Sequence, residues 1–159
     1  MKQNLNQIGL DRTASNDLAD KLNELLANYQ IFYMNARGFH WNIKGEKFFE
    51  LHLKFEELYN DSLVKIDEIA ERILTLGFTP PHTFGDYIEL SKIKVAKNIS
   101  NGTEAIQLIL KGYEVLLPLE RELLELSGES NDEGTNALMS DYIREQEKLI
   151  WMYSAYLNQ

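Results

Sequence analysis

The chain is 159 residues long, which favours a single domain whose core is large enough to fold without disulfides or a structural metal. It contains no cysteine, which excludes disulfides and thiolate ligands, so any metal must be held by His, Asp or Glu. The formal net charge of −9 disfavours a surface that binds nucleic acid. Because neither a secretory signal nor a membrane-spanning apolar run is visible, we expect a soluble cytoplasmic protein without membrane contact.

Two long helices are predicted in the first half of the single domain, residues 1–159. The first covers residues 17–40, where apolar side chains recur every three or four positions. A short connection leads to the second, at residues 46–76, which ends at a glycine and a Thr-Pro-Pro breaker. Helices joined so tightly must lie antiparallel. Residues 1–14 are expected to form a short, flexible amino-terminal segment.

A long crossover follows the second helix, with one short amphipathic piece that contains Phe84, Tyr87, Ile88 and Leu90. The third long helix is predicted at residues 101–126, because Asn101 and Glu104 have the spacing of a capping box. Pro118 lies inside this span, so we expect a kink or a break there.

The fourth long helix is predicted to begin at Ser130, which has capping-box spacing to Glu133, and to run to the chain end. No strand pattern competes with these helices. Two tight hairpins joined by one long crossover predict an all-α, ferritin-like four-helix bundle with a short extra helix between its second and third helices.

The second helix carries two pairs of metal-ligating residue types, His52 with Glu56 and Asp67 with Glu71. At about 100° per residue, these four side chains share one face, separate from the apolar stripe. The distance from Glu56 to Asp67 is about 16 Å along the helix, so one chain cannot bring both pairs to one metal. A second copy packed antiparallel about a two-fold axis would create two complete sites. His40, near the hairpin bend, could join the half-site of His52 and Glu56.

Several interpretations of these residues stay open from spacing alone. His and carboxylate ligands suit iron(II), zinc or manganese, and they do not establish oxidation. Taken singly, each pair is more often a solvated helix face. A histidine on an apolar stripe, such as His40, is more often a packed core residue. The shared face changes these odds only modestly.

The run Gly38-Phe39-His40-Trp41-Asn42-Ile43-Lys44-Gly45 resembles the pattern of the Dps family, the mini-ferritins. Positions of the second helix and the residues after it also match: Phe48, His52, Phe55, Glu56, Asp67, Ala70, Glu71, Arg72, Leu76 and Gly77. Weaker likeness extends over most of the chain. The resemblance implies an inter-subunit ferroxidase site whose catalytic and metal-binding residues are His40, His52, Glu56, Asp67 and Glu71.

This resemblance also implies a function. An enzyme of this kind binds Fe(II) between subunits, oxidises it preferentially with hydrogen peroxide, and stores ferric mineral inside a hollow dodecamer, which protects the cell from oxidative damage. Zinc is a second metal that the site could take. Glu56 stands where the family usually has Asp, and we expect metal binding to survive the extra methylene.

Further acidic residues have weaker roles by resemblance. Asp132 and Asp141 resemble positions that line the family's three-fold pores, through which iron enters, although acidic residues also complement a helix dipole. Glu57 is a candidate for mineral nucleation. No Glu-x-x-His occurs in the chain, so the di-iron site that conventional ferritins build in the bundle core is not expected.

DNA binding is the main competing function, in the form of a shell that protects DNA by direct contact. Residues 1–17 carry Lys2 and Arg12 against Asp11 and Asp17, whereas family members that bind DNA usually use termini rich in Lys and Arg. Since phosphate neutralisation needs clustered positive charge, we expect no tight DNA binding. An acidic helical shell or scaffold without catalysis is the remaining competitor.

Overall fold

Five helices make up the part of the chain that the computed structural model describes, residues 4–159. Four are long and pack as two antiparallel hairpins: α1 (Arg12–Asn42) with α2 (Phe48–Thr75), and α4 (Gly102–Glu129) with α5 (Glu133–Tyr156). The short α3 (Phe84–Leu90) lies in the crossover and packs against α1. This confirms the predicted all-α bundle with a short extra helix. None of the helices described is long and apolar enough to cross a membrane.

One apolar core runs along the bundle, because each long helix turns a stripe of side chains with three- and four-residue spacing towards the others. Its fully buried members include Leu22, Leu25, Phe55, Ile69, Leu116, Leu123 and Met139. Burial of each such side chain stabilises the fold by about 1.5–3 kcal/mol. The core therefore fixes α1 against α2, the two helices that carry the predicted metal ligands.

Helix α1 begins at Arg12, so its predicted start at residue 17 was wrong. Asp11 is the reason, since its side chain accepts hydrogen bonds of 2.9 Å from the amides of Thr13 and Ala14. Before it, Asn6 donates to the Leu76 carbonyl at 3.3 Å and ties this segment to the end of α2. Residues 1–3 of the segment predicted to be flexible lie outside the described residues.

The start of α4 agrees with the prediction, because the Asn101 side chain accepts from the Glu104 amide at 2.9 Å. The helix continues through Pro118 to Glu129, so the predicted end at residue 126 was wrong and no break occurs at the proline. The predicted start of α5 at Ser130 was also wrong. Asp132 is the N-cap, and its side chain accepts from the Thr135 amide at 3.0 Å.

A buried amide helps to hold the crossover against α1. Asn28 is fully buried, and its carbonyl oxygen accepts from the amides of Lys92 and Ile93 at 2.9 and 3.1 Å. It also accepts from the Ser91 hydroxyl at 3.1 Å. These bonds satisfy backbone groups that have no helical partner, and they fix the crossover along α1.

Candidate metal centre

His40 and His52 meet at the seam between α1 and α2. The rings stack with centroids 3.8 Å apart and an interplanar angle of 17°. Each ring binds the other residue's backbone: Nδ1 of His40 lies 2.7 Å from the His52 carbonyl, and Nδ1 of His52 lies 2.7 Å from the His40 carbonyl. Because a carbonyl only accepts, both Nδ1 atoms carry the proton. In the neutral form of each ring, Nε2 then has a lone pair that can bind a metal.

Neighbouring aromatic rings hold the two imidazoles in place. Phe48 stacks on His52 at 5.0 Å, and Tyr59 packs edge-on against His40 at 5.3 Å. His40 is only 8% exposed, whereas His52 is partly exposed. The tight turn that brings them together contains Gly45 at φ +107°, a conformation that favours glycine. The rings are thus preorganised before any ligand binds.

The three carboxylates of the predicted site lie on the outer face of α2. Glu56 is half-buried one turn after His52, and Asp67 and Glu71 are exposed. Among residues 4–159, the ion pairs leave all three carboxylates without a basic partner. Their oxygens are therefore available to a cation.

A single chain does not close this site. Within residues 4–159, no three His, Asp or Glu side chains lie close enough together to hold a metal ion. The structure brings His40 and His52 together with Glu56 one turn away, but it leaves Asp67 and Glu71 three to four turns along the same helix. One chain therefore presents two separate groups of candidate ligands, which are the half-sites of a site that is predicted to lie between two chains.

The outer face of α2 also exposes large apolar side chains beside these carboxylates. They are Phe49 at 84% exposure, Leu53 at 58%, Leu63 at 49%, Val64 at 58% and Leu74 at 56%. Large apolar side chains exposed along one helix face favour an interaction surface over a solvated one. The half-sites therefore lie on a surface suited to contact with another protein chain.

The other acidic residues have partners within the chain. Asp132 is buried, caps α5 and binds Arg72 at 2.5 Å, which supports its interpretation as a helix cap. Asp141 is exposed and pairs with Arg144 at 2.9 Å. A pore role for either aspartate stays a prediction. Glu57 pairs with Lys54 at 2.9 Å, and its role in nucleation likewise stays a prediction.

Sequence reasoning missed a polar cluster inside the bundle. Glu120 is fully buried, and its Oε1 accepts from the Tyr29 hydroxyl at 2.7 Å and from Gln146 Nε2 at 2.6 Å. Burial raises the pKa of Glu120 to about 7, against the effect of the two hydrogen bonds. The signal was a carboxylate on the apolar stripe between Leu116 and Leu123.

Comparison with known proteins assigns the chain to a family. The family model described as "Ferritin-like domain" matches residues 19–159, so the chain is a ferritin-like protein. It is 39% identical to the "DNA protection during starvation protein" of Porphyromonas gingivalis, across 98% of this chain and 98% of that one. It is 41% identical to "DNA protection during starvation protein 2" of Bacillus anthracis, across 87% and 94%.

A solved structure narrows the family further. The Dps protein of Vibrio cholerae O1, described as a member of the ferritin-like diiron-carboxylate superfamily, matches with a TM-score of 0.95 and 57% identity. The match covers 96% of both chains. This chain therefore belongs to the Dps family, as the sequence pattern around His40 and His52 predicted.

Proposed function

We propose that this protein is a ferroxidase. It binds Fe(II) as substrate between two copies of α2, oxidises it preferentially with hydrogen peroxide, and stores ferric mineral in a hollow shell of twelve copies in the cytoplasm. The observation that carries the proposal is the pair of half-sites on one helix. One half-site offers His40, His52 and Glu56, and the other offers Asp67 and Glu71.

The spacing of these residues fits a two-fold axis. His52 and Glu71 are equally far from the midpoint between Asp61 and Ser62, and so are Glu56 and Asp67. One antiparallel register therefore aligns both pairs at once, and the symmetry operation repeats them at a second site. The exposed apolar side chains of α2 would be buried in the same contact, which supplies a driving force for it.

The donors suit the proposed chemistry. Two neutral imidazole nitrogens and three carboxylates form a set that Fe(II), zinc and manganese all accept, so zinc is expected to compete with iron. Carboxylates also stabilise the higher charge of Fe(III). Two Fe(II) ions supply the two electrons that reduce one hydrogen peroxide to water. Removing Fe(II) and hydrogen peroxide together would protect the cell from oxidative damage.

Direct testing starts from metal-free protein loaded anaerobically with Fe(II). Absorbance of the ferric product is followed after peroxide and, separately, after air, for wild type, His52→Ala and Asp67→Ala. Glu125→Ala, on an exposed position of α4, is the matched control. We expect fast oxidation, favoured by peroxide, that both site variants lose and the control keeps. Wild-type oxidation no faster than in buffer would overturn the proposal.

We propose that any protection of DNA by this protein follows from iron and peroxide removal, without tight DNA binding. The names of the two relatives mention DNA protection, but they do not say how that protection is achieved. The net charge of −9 and the lack of clustered basic residues near the amino terminus oppose contact with phosphates. A shift of duplex DNA by the purified protein at physiological salt would contradict this part of the proposal.

A further inference from the structure

Within the part of the chain that the structure describes, Arg37 is a cation without a carboxylate partner, and it lies at the edge of the histidine half-site. It lies one turn before His40 on α1, and its guanidinium carbon is 5.0 Å from the Trp41 ring, 5.5 Å from Tyr59 and 5.8 Å from Tyr33. One nitrogen, Nη1, donates to the Tyr33 hydroxyl at 2.6 Å. The Nε atom is buried without a hydrogen-bond partner. The aromatic rings thus fix a guanidinium that still has hydrogen bonds to donate.

No ion pair among residues 4–159 includes Arg37. The basic residues of α2, by contrast, are all paired within the chain: Lys54 with Glu57, Lys65 with Asp61 and Glu145, and Arg72 with Asp132. The outer face of α2 therefore lacks a basic partner of its own. Arg37 is the unpaired cation beside it.

Antiparallel packing of two α2 helices makes this cation important. Each site would gather Glu56 of one copy with Asp67 and Glu71 of the other. Before a metal binds, three carboxylates in a contact that excludes water repel one another and lose hydration, which disfavours assembly. A guanidinium at the edge of the contact would offset this cost, and its fork can bind one carboxylate oxygen while leaving the other free.

The position of Arg37 along the bundle axis indicates which carboxylate of the second copy it would bind. Because His40 stacks on His52 and the two helices are antiparallel, a residue three positions before His40 lies level with Glu56 of α2. The contact between Arg37 and Tyr59 agrees with that level. In the two-fold register of the proposed function, Glu56 faces Asp67 of the second copy.

We propose that Arg37 binds Asp67 of the second copy and is a positioning residue, which sets the register of the two α2 helices and holds that carboxylate near the histidines. The assignment rests on the antiparallel contact in the proposed function. It extends that function, because Arg37 would order the site before iron arrives and would not itself bind iron.

The test is a double-mutant cycle on metal-free protein: Arg37→Gln, Asp67→Asn and both together. Sedimentation velocity over a dilution series gives the protein concentration at which half of the assemblies dissociate. We expect Arg37→Gln to raise that concentration by roughly 10- to 100-fold, because an unpaired carboxylate stays buried. Adding Asp67→Asn to Arg37→Gln should recover part of the loss, since that carboxylate is then neutral.

Two further variants complete the design. Arg121→Gln is the matched control, since Arg121 forms an exposed ion pair with Glu147 at 3.2 Å, and it should assemble as wild type does. Arg37→Lys keeps the positive charge but lacks the planar guanidinium with its two parallel donors. Its dissociation concentration should therefore lie between those of wild type and Arg37→Gln. It replaces Arg37→Gln in the test if that variant misfolds.

Two results would overturn the role of Arg37. One is a double variant whose loss of assembly stability equals the sum of the two single losses. The other is dissociation of both Arg37→Gln and Arg37→Lys at the same protein concentration as the control. Failure of this proposal can be separated from failure of the ferroxidase. If His52→Ala still abolishes iron oxidation in an intact assembly, the inter-subunit ferroxidase stands and only the role of Arg37 is lost.

Discussion

Polar side chains gather in two regions of the molecule, and the two regions satisfy them differently. In the bundle core, Tyr29, Glu120 and Gln146 come from three different helices and bind one another. On the outer face of α2, Asp67 and Glu71 have no basic partner within residues 4–159. The core cluster is built by one chain alone, whereas we propose that the outer face is completed by a second chain.

The difference shows why we place metal chemistry outside the bundle. Glu120 is sealed from solvent and binds two neutral donors through one of its oxygens, so exchange of a doubly charged ion with water would be costly there. The stacked histidines, by contrast, lie beside a partly exposed carboxylate at the helix seam. In the proposed function, a ferrous ion reaches this seam from solvent and is enclosed when a second chain covers it.

Mixing two inactive variants tests whether the two half-sites of one metal site come from different chains. His52→Ala removes one half-site and Glu71→Ala removes the other, so each alone should lose oxidation by at least about 100-fold, as expected when a residue essential to the site is lost. In a hybrid dimer, one site combines the two undamaged halves. With random pairing, about a quarter of wild-type sites should return. The measurement is peroxide-dependent ferric absorbance after the two chains are co-expressed.

Mixing His52→Ala with His40→Ala is the control, because both variants damage the same half-site and no hybrid can be complete. Activity restored in this control mixture would contradict a site shared between chains, and so would the absence of recovery in the first mixture despite hybrid dimers seen by native mass spectrometry.

A second prediction concerns the apolar surface around the half-sites. Leu63 is 49% exposed and lies next to the proposed two-fold midpoint, so Leu63→Glu would place two new carboxylates close together in each dimer. We expect dissociation at a concentration at least roughly 100-fold higher, with helix content by circular dichroism unchanged, since buried unpaired charges cost several kcal/mol. Ile8→Glu, outside the α2 face, is the control. Wild-type assembly by Leu63→Glu would rule out the outer face of α2 as the contact.

Sequence periodicity was sufficient to predict the bundle, because long amphipathic helices bury whole stripes and tolerate errors at their ends. It misplaced the starts of α1 and α5, where a single cap decides. Asp11 and Asp132 are the caps, and a Ser-x-x-Glu pattern at Ser130 pointed to a different residue. Caps depend on local backbone geometry that spacing does not define.

The candidate site was predicted on a different basis, and its role as a metal site stays a prediction. His40, His52 and Glu56 were found from spacing and family resemblance, and the structure adds what spacing lacks: both Nδ1 atoms are bound to carbonyls, which leaves each Nε2 open. The Glu120 cluster and the unpaired Arg37 could not be found in this way. The Glu120 cluster joins side chains from helices that are distant in sequence, and Arg37 stands out only because it lacks an ion-pair partner. Neither feature produces a local sequence pattern.

The sealed core gives a third prediction, which concerns the pH dependence of stability. Glu120 has a pKa raised by burial to about 7 from an unfolded value of 4.5, so the folded state holds its proton more tightly than the unfolded state. The stability from this proton is therefore fully present below pH 4.5 and is lost as the pH rises through 7. The total loss is about 3 kcal/mol at most.

Glu120→Gln keeps the shape and removes the titration. The measurement is the free energy of unfolding in urea at fixed protein concentration. At pH 5 the value for Glu120→Gln should equal that of wild type or lie slightly below it. At pH 8 it should exceed the wild-type value by about 1–3 kcal/mol. Glu125→Gln, exposed on the same helix, should show neither change. Iron oxidation should stay at the wild-type rate, because the core cluster lies apart from the half-sites. Loss of iron oxidation in folded Glu120→Gln would show that the sealed core and the outer face of α2 are coupled. It would contradict the proposal that the core cluster plays no part in the metal chemistry.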